Sequence, residues 1–205
     1  MSKKIIIAFE GVEGTGKSHH INNISNYLKK KKIRFIKIRE PGGSVNSEKI
    51  RKIILNNKTT FNKHTDLLLY LSARSENIEL IKKNIGKKVI LIDRFSDSTI
   101  AYQHYGMGIN LQFINHINDF LLKGIKVNFT FLNTVSKKNM RKRLKIRKQL
   151  NRYDQFSDKF YDNVQKGFLK ILNKNPKKYM KIDSNLNIIE NKKIILNKIN
   201  NLIQK

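Results

Sequence analysis

The stretch KIIIAFEGVEGTGKS, residues 4–18, decides the fold. Its first half, Lys4–Phe9, is a continuous apolar run, the pattern of a strand buried on both faces. Its second half, Gly11-Val12-Glu13-Gly14-Thr15-Gly16-Lys17-Ser18, matches G-x-x-x-x-G-K-[ST] in full. Glycines at these places let the backbone curl until successive N–H groups face phosphate oxygens. A helix starting near Lys17 adds the positive end of its dipole. Lys17 is placed to reach β- and γ-phosphates, and Ser18 to hold Mg2+. The eight loop residues are therefore candidate ATP contacts. The loop does not name the acceptor, because switch GTPases, motor ATPases and small-molecule kinases share it.

Outward from this loop, short β-rich runs alternate with helical ones. Further strands are expected at Ile33–Ile38, Lys88–Ile92, Val127–Leu132 and Tyr179–Ile182. Helical patterns fall near 17–31, 46–56, 64–84, 97–104, 110–123, 136–149, 155–174 and 188–203. The alternation predicts an α/β three-layer sandwich, a five-stranded parallel sheet flanked by helices, as in P-loop NTP hydrolases. Ligands then bind beyond the carboxyl ends of the strands. With 205 residues and no Pro/Gly/Ser-rich linker, one domain over 1–205 is expected.

Bulk composition narrows the field. Cys is absent, which excludes disulfides, thiolate metal sites and Cys nucleophiles. No apolar run approaches the ~20 residues of a membrane span. The opening MSKKIIIAFEGVEG lacks a signal-peptide pattern, so a cytoplasmic location is expected. The net charge is +28. Lys is scattered along the chain rather than gathered in a stripe, which favours a compositional bias over a specific nucleic-acid partner. The positive field suits any anionic substrate.

Four more segments carry chemistry. The second strand runs into Arg39-Glu40-Pro41-Gly42-Gly43, which puts a cation at the crevice. The third runs into Asp93-Arg94-Phe95, where Asp93 can hold Mg2+ directly or through water and Arg94 can hold a phosphate. Tyr70 and Arg74 stand at i, i+4 on a helix, one ring and one guanidinium on one face. Met140–Arg152 (MRKRLKIRKQLNR) is dense in Arg and Lys, and reads as a mobile lid at about 136–155. Within one helix, Arg143 and Arg147 would lie a turn apart on one face. Asp154, Asp158 and Asp162 recur at i, i+4, i+8, a solvated or lid-pairing face.

Together GVEGTGKS, REPGG, LLLYLSAR, DRFSDSTIAYQ, the basic segment and IDSNLNIIE resemble the thymidylate kinase family over nearly the whole chain. The resemblance implies ATP-dependent phosphorylation of dTMP to dTDP, assisted by Mg2+, in a homodimer. It implies catalytic roles for Lys17, Arg147, Glu13 and Arg94, with Glu13 near the sugar 3′-OH and the metal. Arg147 would reach the transferred phosphoryl, and Arg143 would join it on ATP. Arg39, Arg74 and Arg94 would hold the dTMP phosphate or base, and Tyr70 would stack on thymine where the family usually has Phe. Thr99 and Gln103 would line the nucleotide, Tyr102 would crowd the ribose 2′ position, and Arg152 would hold the nucleotide nearby. Ser18 and Asp93 are the metal candidates. Met107 stands where the family usually has Arg, and His19 and His20 follow the loop where it has small and polar residues. The alternatives are another nucleoside monophosphate or nucleoside kinase, or a P-loop nucleic-acid-stimulated ATPase. A guanine-reading Asn-Lys-x-Asp is missing from the sequence, which disfavours a GTPase.

Overall fold

A computed structural model describes residues 5–204. Five strands form one parallel sheet: β1 Ile6–Glu10, β2 Phe35–Arg39, β3 Val89–Asp93, β4 Phe129–Thr134 and β5 Tyr179–Asp183, in the order β2-β3-β1-β4-β5. Each expected strand is present. Its end lies one or two residues later than the apolar run, because the pairing continues into the polar residues that open the site. Lys4, the first residue of the expected first strand, lies outside the described residues.

The central strands β1, β3 and β4 are buried almost throughout, whereas the edge strands β2 and β5 are only partly buried. Burial on both faces is why the central sequences read as apolar runs rather than as alternation. Side chains still alternate between two cores. Ile7, Phe9, Val89, Leu91 and Phe131 pack beneath α1 (Lys17–Lys30) and the chain-terminal α8 (Ile188–Gln204). Ile6, Ile90 and Ile92 face Ile78 and Ile81 of α3 (Lys63–Asn84) on the other side. Between them in sequence, α2 (Val45–Leu55) follows the β2 turn, capped by the Ser44 side chain.

Two expected helices differ from the observed ones. The helix expected at 97–104 is a short α4, Ser96–Thr99, running into a π-helical turn at Ile100–Gly106. The wide turn is pressed onto a later helix at two glycines. A Cβ on Gly106 would stand 2.6 Å from Phe160 Cε2, and one on Gly167 would stand 2.5 Å from Tyr105 Cδ2. After it comes α5 (Leu111–Leu122). The helix expected at 136–149 is α6, Lys137–Lys145, and ends before Arg147. Asn151 then caps a 3-10 turn, Arg152–Gln155, in a reciprocal capping box with Asp154, and Ser157 caps α7, Asp158–Lys174. The expected gap between the helices at 136–149 and 155–174 is thus wider, and these two caps start the elements after it. Arg143 and Arg147 therefore do not share a helix face. Among the described residues, no helix is long and apolar enough to cross a membrane.

Candidate active site

A cleft of about 840 Å³ opens at the carboxyl ends of the strands. One wall is the loop between β1 and α1. Its carbonyls are tied outward: Gly11 O accepts from Lys17 Nζ and Arg94 Nη1, and Val12 O from Lys17 Nζ and Thr15 Oγ1. Gly14 O accepts from Arg143 Nη1, and Thr15 O from Ser184 Oγ. With its acceptors occupied, the loop is left with N–H groups to offer an anion. Glu13, Gly14, Thr15, Gly16, Lys17 and Ser18 line the cleft. Gly11 and Val12 do not: Val12 is core, and Gly11 passes so close to β4 that a Cβ would meet Asn133 O at 2.1 Å. Gly11 also has a φ of +132°, a conformation suited to glycine.

Ser18 Oγ lies 3.0 Å from Asp93 Oδ2, one at the start of α1 and the other at the end of β3. Two hard oxygens beside a phosphate loop suit Mg2+, which is held by one or two protein oxygens and otherwise by water and phosphate. Lys17 is buried, and its ammonium is pulled down to about 8, first by that burial and second by the charge of Arg94.

The middle of the cleft is a charge network. Arg94 has a φ of +66°. This turn is fixed from below by Glu10, whose carboxyl accepts from Phe95 N and Ser98 Oγ. Burial, and then the neighbouring Asp97, push Glu10 up to about 8. From that turn Arg94 Nη2 reaches Glu13 Oε1 at 2.8 Å, and Tyr102 donates to Glu13 Oε2 at 2.6 Å. Burial raises the Glu13 carboxyl, but Arg94, Lys17 and Tyr102 outweigh it, so it stays below the usual range. Arg39 lines the cleft while held bidentately by Glu48, at 2.9 and 2.8 Å. Tyr70 and Arg147 also line it, and Arg147 is held there by a pair of contacts to Asp154 at 2.7 and 2.8 Å.

Several expected site residues lie elsewhere. Arg74 is 1% exposed. It gives Nε and Nη2 to Glu40 and Nη1 to Asn118, its guanidinium lies over Phe95, and it lines no part of the cleft. Sharing a helix face with Tyr70 was not enough, because Glu40 from the β2 turn captures the cation. Arg152 is likewise turned away, to Asp66 and Ile54 O, against the rings of Phe61 and Tyr153. Arg143 braces Gly14 O and Ser184 O from behind the loop. Thr99 is buried, and Oγ1 has no partner among the described residues. Tyr102 and Gln103 border a small recess that shares Glu13, Tyr70 and Arg94 with the cleft.

The sequence reading missed Arg51, which lines the cleft and donates to Pro41 O at 2.6 Å. Its signal was its place on the helix after REPGG, one turn beyond the Glu48 that holds Arg39. Tyr153 was missed too. It lines the cleft and meets Tyr70 edge to face at 5.7 Å.

Six cations line the cleft, Lys17, Arg39, Arg51, Arg94, Arg147 and Lys148, against the carboxylates Glu13, Glu40 and Asp93. A phosphate loop at one end and a second group of arginines across from it, above a parallel sheet, define a P-loop phosphotransferase of the nucleotide-kinase class. The sequence model of the family described as thymidylate kinase matches residues 9–195. The chain belongs to the thymidylate kinase family. It is 39% identical over 169 residues to the thymidylate kinase of Thermosipho africanus, covering 82% of this chain and 84% of that one. To the thymidylate kinase of Kosmotoga olearia it is 32% identical, over 90% and 89% of the two chains. The crystal structure of thymidylate kinase from Ehrlichia chaffeensis superposes with a TM-score of 0.78 at 27% identity, over 97% of this chain and 99% of that one.

Proposed function

We propose that the enzyme transfers the γ-phosphoryl group of ATP to dTMP, giving ADP and dTDP. The observation that carries this reading is the double anion site within one cleft: Lys17 and the loop amides on one side, Arg39, Arg51 and Arg94 on the other. A cleft of about 840 Å³ is roomy enough for a donor and an acceptor side by side. Family membership supports the choice of dTMP.

ATP lies with its phosphates in the loop. The dTMP base lies against Tyr70, with its phosphate at Arg39, Arg51 and Arg94. A dTMP phosphate oxygen bonds to Pγ as the bond from Pγ to the β–γ bridging oxygen breaks. That attacking oxygen has a low pKa, so no strong base is required, and positioning and positive charge do most of the work. Ser18 and Asp93 are the residues that would hold Mg2+, which supplies charge neutralisation across the β- and γ-phosphates when bound. Glu13, braced by Arg94 and Tyr102, faces the sugar. The basic segment 136–155 acts as a lid that brings Arg147 to the γ-phosphoryl and excludes water. The whole chain, 1–205, works as one domain, in the cytoplasm and as a homodimer.

A coupled assay of ADP release with dTMP, dUMP, dCMP and dGMP in turn tests the reading. dTMP is expected to give the highest kcat/KM. ATP turnover that ignores the monophosphate, or that depends on polynucleotide, would overturn it. Asp93→Asn is expected to weaken the Mg2+ dependence of ATP binding in calorimetry, a readout separate from turnover.

A further inference from the structure

The base end of the cleft holds a polar device built around Gln103. Its side chain is 1% exposed. Its amide nitrogen donates to Asp66 Oδ2 at 3.1 Å and to the Tyr153 hydroxyl oxygen at 3.3 Å. Tyr153 spends its own hydrogen on Asp66 Oδ2, so towards Gln103 it can only accept. Asp66 Oδ1 is paired with Arg152. With two acceptors side by side at this nitrogen, the NH2 end of the Gln103 amide is committed away from the cleft. Oε1 remains buried without a partner, at a recess bordered by Tyr70 and Tyr102. A flipped amide would put Oε1 against a carboxylate and a hydroxyl lone pair, so this network permits one orientation.

We propose that Asp66 is a positioning residue for base specificity, acting through Gln103. It rests on the reading that dTMP binds against Tyr70. An amide whose free end is an acceptor selects a pyrimidine that offers a ring N–H, as thymine and uracil do. Cytosine presents a ring-nitrogen lone pair at the same place and meets acceptor with acceptor. A buried polar group left unpaired by the wrong base is costly.

The test compares kcat and KM for dTMP and dCMP in the wild type, Asp66→Asn and Asp66→Glu. The Asp66→Asn side chain can present either oxygen or NH2 to Gln103, which frees the glutamine amide to turn over. The dTMP-to-dCMP ratio of kcat/KM is expected to fall at least about tenfold, the size of one mismatched hydrogen bond. The change is expected in the monophosphate KM, with the KM for ATP unmoved. Asp66→Glu keeps the acceptor and is expected to restore most of the ratio. In a Gln103→Leu background, Asp66→Asn is expected to change the ratio no further. A merely structural role would lower both substrates together and leave the ratio unchanged, which overturns the proposal. Should Asp66→Asn fail to fold in thermal melts, Gln103→Leu alone removes the acceptor that Asp66 is proposed to orient, and an unaltered ratio there overturns it equally. A wild type without preference for dTMP over dCMP would instead sink the dTMP reading itself.

Discussion

Lys17 donates to Gly11 O and Val12 O, both at 2.9 Å, and lies 3.3 Å from Thr15 Oγ1. These are neutral partners, so burial wins and the ammonium titrates near 8. A triphosphate would bring it back to full charge. ATP binding above about pH 8 is therefore expected to take up a proton, and affinity to fall as pH rises further. Calorimetry at pH ~8.5 in two buffers of different ionisation enthalpy reads the uptake directly, and Lys17→Met should abolish it. Equal heats in both buffers for the wild type would contradict the assignment. The same shift bears on stability with the opposite sense: the unfolded chain holds the proton up to about 10.5, so this residue's contribution to stability improves between pH 8 and 10.5. Gly11 is limited by space instead. With a φ of +132° and Asn133 O 2.1 Å from any Cβ, Gly11→Ala must displace the loop or β4. Strain and overpacking together put its cost at roughly 3 kcal/mol. Urea unfolding measures it, and a loss below ~1 kcal/mol would show that the loop shifts freely.

The basic segment 136–155 is tied down by a ladder of ion pairs. Lys137 meets Asp162 at 2.8 Å, Arg141 meets Asp158 at 2.5 Å and Arg147 meets Asp154 at 2.7 Å. The regular acidic spacing thus pairs with the basic segment, from Asp154 in the 3-10 turn and from Asp158 and Asp162 on α7. The pairs of Lys137 and Arg141 are partly exposed and contribute about 0–1 kcal/mol each, whereas the Asp154 carboxylate that holds Arg147 is buried. Arg147 and Arg143 now separate in role. Arg147 lines the cleft, so Arg147→Ala should lower kcat by about a hundredfold or more with little change in KM. Arg143 braces Gly14 from outside the cleft, so Arg143→Ala should chiefly raise the KM for ATP. Steady-state kinetics on the two variants decides. A near-normal kcat for Arg147→Ala would remove it from the transition state.

Across the whole molecule, α5 packs beside α3, and the two helices leave Leu68, Phe113 and Phe120 exposed at 53%, 46% and 69%. Exposed large apolar groups on adjoining helices suit an interface between copies. Phe120→Asp is expected to shift the protein from dimer to monomer in sedimentation velocity, and a monomeric wild type would refute the dimer. The charge of +28 is a property of the whole surface. Duplex DNA is expected to bind more weakly than about 1 μM at ~150 mM salt, the non-specific range, and tighter binding would give the charge a function of its own.

Local sequence was enough for the five strands and for the phosphate loop. Burial on both faces writes itself as an apolar run, and a tight anion-binding turn accepts only certain residues at fixed spacing. It also pointed to Arg39, Tyr70, Arg94 and Arg147, all of which line the cleft: Arg39 and Arg94 at or just past strand ends, Arg147 past the end of α6 and Tyr70 inside α3. It could not tell where a long flexible cation goes once several carboxylates compete for it. Arg74 is captured by Glu40, 34 residues away, and Arg152 by Asp66, 86 residues away. The break between α6 and α7 was expected, but the end of α6 at Lys145, before Arg147, was not, because the basic run continues past it. The orientation of the Gln103 amide belongs to tertiary structure alone. It depends on α3, the π turn and the 3-10 turn at Arg152–Gln155 meeting at one carboxylate, and no local spacing encodes a three-way contact.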